Sequence, residues 1–125
     1  MIEPTDTDKL RRDPDGLLTY EYIANNIDHI DEEMPELVDN MIAVDSCGQF
    51  CVSAARYLHA LATERFHESV DRLVKAAIEK DRNRDYIGQL LPALWGADYA
   101  DRAGELNASD DNFRRIYKRI YSTGI

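Results

Sequence analysis

Glu64 and His67 stand three residues apart in the stretch Glu64-Arg65-Phe66-His67. On a helix that spacing turns a carboxylate and an imidazole toward one point, as carboxylate-bridged di-iron bundles require. A complete site of that kind needs a second such pair, and the sequence holds none. The residues three places before His29 and His59 are Asn26 and Arg56. At about 100° per residue, His67 lies about 60° and Glu64 about 120° from the centre of the apolar stripe through Phe66 and Val70. Glu64 therefore points mostly toward solvent, and His67 reads first as a boundary residue paired with Asp71 or Glu64. A metal-binding, di-iron-like four-helix bundle using Glu64 and His67, completed by Glu21, Asp28 or Asp45, stands as an alternative reading.

Nucleophilic chemistry finds less. Cys51 and His59 form the one thiol–imidazole pair on a common helix, yet eight residues place them about 12 Å apart along the axis. No Gly-x-Ser-x-Gly and no glycine-rich phosphate loop is present. Cys47 and Cys51, four apart, share a helix face with Cβ vectors leaning the same way, so a bridge between them would be strained. Both read as buried thiols behaving as small hydrophobes. The sequence thus leans away from an enzyme and implies no cofactor.

Charge is the strongest signal. The formal net charge is −9 over 125 residues. Residues 1–45 hold 13 acids against 3 bases, while residues 46–125 hold 11 against 12. Asp28, Asp31, Glu32 and Glu36 concentrate the negative charge. A regular helix side cannot wrap six oxygens around a calcium ion, so these acids read as a solvated face or a docking surface for a basic partner. The opposite pole is Arg114, Arg115, Lys118 and Arg119. These cations are expected to face the acidic region, in the same chain or across a symmetric dimer. Nucleic acid is disfavoured, because the acidic third repels a phosphate backbone.

Apolar periodicity supplies the elements that must carry these groups. Asp13-Pro14 reads as a cap and first turn for helix A, with Tyr20, Ile23, Ile27, Ile30 and Met34 along its stripe. Pro35 ends helix A or opens helix B, whose alternation of threes and fours runs from Leu37 through Gly48 to Ala62. Because the register does not slip at Gly48, the favoured expectation is one continuous helix making a close crossing there. Phe66 to Ile78 form helix C, and residues 79–85 a polar connection. Helix D runs on Ile87, Leu90, Leu91 and Leu94 with a kink at Pro92. Ser109-Asp110-Asp111 caps helix E, whose apolar face is Phe113, Ile116, Tyr117, Ile120 and Tyr121. Neither strand signals nor an internal repeat emerge from this pass.

The fold class expected is all-α, a single-domain bundle of four to five helices over residues 13–125, preceded by a loosely ordered leader at 1–12. No signal peptide is evident and no run reaches the roughly 18 apolar residues of a membrane span, which points to the cytoplasm. The function expected is non-enzymatic protein–protein interaction, with self-association into a homodimer included. A third reading, from the carboxylates of helices A and B, is an acidic mimic of nucleic acid that blocks a DNA-binding partner.

Overall fold

The computed structural model describes residues 4–121. Among them the chain forms eight α-helices: α1 Pro4–Arg11, α2 Leu17–Asn25, α3 Met34–Val44, α4 Gln49–Ala62, α5 His67–Lys80, α6 Leu90–Trp95, α7 Ala103–Ser109 and α8 Asp111–Tyr121. Short 3₁₀ turns at Ile27–His29 and Ile87–Gln89 interrupt the connections, and there is no strand among the described residues. The all-α class holds, with more helices than the four to five expected.

The extra helices are α1, α7 and the second half of helix B. Helix A stops at Asn25, short of the Met34 expected, and a 3₁₀ turn leads on to α3. Helix B is not continuous: α3 ends at Val44 and α4 begins at Gln49, with Gly48 in the left-handed region at φ 89°. Pro92 does not kink α6, because that helix starts at Leu90 and so places proline in the first turn, where its missing N–H has no intrahelical partner to lose. The segment expected as a loosely ordered leader contains α1, a short helix that buries Leu10. Helix C is recovered almost residue for residue as α5, and Asp110 caps α8 as expected, its Oδ1 accepting the Phe113 N–H at 3.1 Å.

Packing arranges the helices in two rows. Helix α1 packs on α3, α3 on α5 and α5 on α8, while α2 packs on α4 and α4 on α6. Successive pairs α2–α3 and α4–α5 join the rows, and α7 packs on α8. Between them lies one core, with Ile23, Leu37, Met41, Leu58, Leu73, Leu90, Phe113 and Ile116 fully buried. Burying a side chain of that size contributes about 1.5–3 kcal/mol, which is why the stripes dictate which face turns inward.

The turns from the first row to the second repeat one device. Among the described residues the buried charged side chains are Asp13, Asp45 and Asp81, each just after the end of α1, α3 or α5. Asp13 accepts the N–H groups of Gly16 at 2.9 Å and Thr19 at 2.8 Å, and the Thr19 hydroxyl at 2.7 Å. Asp45 accepts those of Cys47, Gly48, Phe50 and Cys51 at 2.8–3.1 Å. Asp81 accepts those of Asp85, Tyr86 and Ile87 at 2.7–2.9 Å. In every case the sixth residue after the aspartate donates to it. A buried carboxylate is costly alone, and charge-assisted bonds from the N–H groups of the turn and the next helix's first residues offset that cost. The fold therefore contains a repeated helix–aspartate turn–helix unit that the sequence reading did not find.

Candidate functional site

The acidic residues gather where α2 leads into α3. Asp28 lies in the 3₁₀ turn, Asp31 and Glu32 in the turn after it, and Glu36 in the first turn of α3, where a carboxylate suits the positive end of the helix dipole. Arg65, in the turn between α4 and α5, clamps this segment. Its Nε donates to Asp31 Oδ2 at 2.7 Å, a second nitrogen donates to Asp31 Oδ1, and the same nitrogen reaches the Ile27 carbonyl at 3.0 Å. The guanidinium also covers the Phe66 ring at 4.5 Å. The Arg65 bond holds the Asp31 carboxyl below the usual aspartate range. Arg72 on α5 pairs through one nitrogen with Asp39 on α3, and its other terminal nitrogen reaches the Pro35 carbonyl at 3.4 Å. Asp28, Glu32 and Glu36 are exposed and form no ion pair among the described residues.

The cations of α8 do not meet this acidic segment within the chain, because α5 lies between α3 and α8 in the row. Arg114 pairs with Asp111 one turn back on its own helix. Arg119 donates to the carbonyls of Ile78 and Asp81, closing the C-terminal end of α5, and Arg84 donates to the Arg119 carbonyl at 3.1 Å. Arg115 and Lys118 form no ion pair among the described residues. Of the four acids only Asp31 is met within the chain, by Arg65, and Arg72 meets the neighbouring Asp39; the sequence reading had singled out neither arginine.

Glu64 is exposed in the turn after α4, and His67 is exposed as the first residue of α5. Among the described residues no three His, Cys, Asp or Glu side chains lie close enough to hold a metal ion together. The thiols divide: Cys51 is buried, but Cys47 is exposed rather than buried as expected, because it falls in the Asp45 turn and not on a helix face. Burial, with Asp45 nearby, pushes the Cys51 thiol far above its ordinary range.

What the structure does assemble is a polar cleft of about 150 Å³ between α4, α5, α6 and the start of α8. Val70, Val74 and Leu94 give it an apolar wall, and His59 and His67, on different helices, both border it. Asp71 and Asn112 meet there: Asn112 Nδ2 donates to Asp71 Oδ1 at 2.8 Å. Lys75 donates to both Asp71 oxygens at 2.7–2.8 Å. Burial raises the Asp71 carboxyl, but the donors Lys75 and Asn112 outweigh it and hold it below the usual range. Trp95 donates its indole N–H to Asp110 Oδ2 at 2.8 Å and packs edge-on against Phe113, with ring centroids 5.3 Å apart. Sequence reasoning took His67 with Glu64 or Asp71 and His59 with Cys51, and passed over Trp95, Asp110 and Asn112 as cleft residues. These side chains come from helices far apart in the chain, so no local pattern could have joined them.

No family model, no curated protein and no solved structure matches this chain. Among the described residues no helix is long and apolar enough to cross a membrane.

Proposed function

We propose that the chain is a non-enzymatic helical recognition module that binds a basic protein surface, a second copy of itself being the first partner to test. The observation that supports this reading is the separation of charge across one row of helices. Among the described residues Asp28, Glu32 and Glu36 stand exposed and without an ion pair near the start of α3, Arg115 and Lys118 form none on α8, and α5 keeps the two groups apart. Groups that cannot neutralise each other within one molecule are free to do so between molecules, and such contacts steer encounter and fix register. Two rows of packed helices are also an architecture whose broad faces suit protein recognition, an argument by analogy of fold.

Light scattering at tens of micromolar, over a range of salt, tests the self-association. Dimers or larger species are expected at low ionic strength, lost as screening shortens to about 10 Å near 0.1 M salt. The triple change Asp28→Asn, Glu32→Gln and Glu36→Gln is expected to abolish them. A monomer at low salt discards self-association and leaves a distinct basic protein as the partner to seek.

A further inference from the structure

We propose that the cleft between α4, α5, α6 and α8 receives one arginine or lysine side chain of the partner protein, held beside Trp95 by Asp110 and Asp71. This rests on the recognition reading above and gives it a specific pocket away from the acidic segment of α3.

Three observations define the occupant. First, Asp110 keeps unspent acceptor capacity at this cleft. Each oxygen of Asp110 takes one neutral donor, the Phe113 N–H at 3.1 Å or the Trp95 indole N–H at 2.8 Å. An ionised carboxylate has about four lone-pair sites, so room remains on both oxygens. No cation pairs with Asp110 among the described residues. Second, Asn112 donates its amide N–H to Asp71 and so fixes that carboxylate at the cleft. Third, the shape suits a stem with a charged tip. About 150 Å³, walled by Val70, Val74 and Leu94 and bordered by the Trp95 indole, matches one long side chain rather than a nucleotide or a peptide segment. Aliphatic stems pack on such walls while the cation lies by the carboxylates, and an indole face attracts it further. Lys75, half exposed and paired with Asp71, is the group an incoming cation displaces.

The chain has a single tryptophan, so its fluorescence reports this cleft alone. The experiment titrates the full chain with a short acetylated arginine-containing peptide, and with its citrulline counterpart, which keeps shape and loses charge. The arginine peptide is expected to shift Trp95 emission saturably and to bind at least tenfold tighter than the citrulline peptide. Equal binding by the two, or no saturable change, overturns the proposal. Asp110→Asn is expected to weaken the arginine peptide at least tenfold. Because Asp110 also caps α8, His67→Lys serves as a second variant: it adds a cation at the exposed rim without touching a buried contact, and should weaken binding by a similar factor. Unchanged affinity in a folded His67→Lys protein likewise overturns the proposal. The triple amide variant of α3 separates the two ideas. It should leave the peptide's effect on Trp95 intact while removing association, so failure of the α3 surface and failure of the cleft give different results.

Discussion

Gly48 lies directly against Asp81. A Cβ built on Gly48 would stand 3.3 Å from the Asp81 Cβ and 3.3 Å from the Ala77 carbonyl oxygen. Gly16 has the same relation to the next turn, where a Cβ would meet Met41 Sδ and Phe50 Cβ at 3.0 Å. The three aspartate turns therefore stack at one end of the helical rows, each glycine fitting beneath its successor.

Gly48→Ala should consequently destabilise the chain twice over, through a left-handed φ of 89° and through the collision with Ala77 and Asp81. The conformational part alone costs about 1–2 kcal/mol. Arg84 occupies the equivalent place in the last turn at φ 53° and is exposed. Arg84→Gly is expected to change stability by less than about 1 kcal/mol, since glycine relieves the backbone while the bond to the Arg119 carbonyl is lost. Urea unfolding of both variants, compared at a common m-value, checks the contrast.

Asp45→Ala removes the acceptor for four N–H groups, two of them buried. The cost expected is about 3–5 kcal/mol, because orphaned buried donors lose about 1–3 kcal/mol each and partial hydration recovers some of it. Asp45→Asn, which keeps one carbonyl oxygen, should fall between alanine and the native chain. An alanine variant within 1 kcal/mol of native, taken roughly as measurement scatter plus surface effects, would show that the turn does not depend on its carboxylate.

Acid should destabilise the protein through the Asp13 turn and through Asp71. Burial raises the Asp13 carboxyl, yet the N–H groups of Thr19, Gly16 and Asp15 and the Thr19 hydroxyl together bring it below its ordinary value. Asp71 is lowered as well. A folded-state value below the unfolded one means the unfolded chain binds protons first. The stabilisation is then complete above the ordinary aspartate value of about 4 and is lost as pH falls below it. Circular dichroism followed from pH 6 downward, roughly spanning that window, should show a cooperative loss of helix. In Asp13→Asn the pH dependence of stability in that range should be shallower.

Much of this fold can be read from the chain, and the parts that cannot share a cause. Phe66, Val70, Leu73 and Ile78 mark α5 because one uninterrupted face packs on the core, and Phe113 with Ile116 marks α8 likewise. The breaks at Asn25 and Val44 escape, since the apolar register happens to continue across both. A signal did exist in Asp13…Gly16 and Asp45…Gly48, each an aspartate followed three residues on by glycine, but Arg84 in the third copy disguises it. Helix α7 buries Leu106 alone and so has no stripe to detect. The cleft is a product of topology, bringing His59 and Asn112 to border one space through helix packing that no spacing announces.

The two cysteines give a test of the break itself. In one continuous helix, Cys47 and Cys51 would share a face; with the Asp45 turn between α3 and α4, Cys47 is exposed and Cys51 is buried. Burial, reinforced by Asp45, disfavours the Cys51 thiolate, which is the reactive form. A chromogenic disulfide reagent at pH 8, chosen roughly near the ordinary thiol value, should therefore modify one thiol rapidly and leave the second untouched in the folded protein. The second should react only as fast as the chain opens, and fully in denaturant. Mass spectrometry after brief labelling should place the fast site at Cys47. Labelling of both thiols at similar rates would mean that Cys51 is not enclosed and that α4 is not seated on α5 as described.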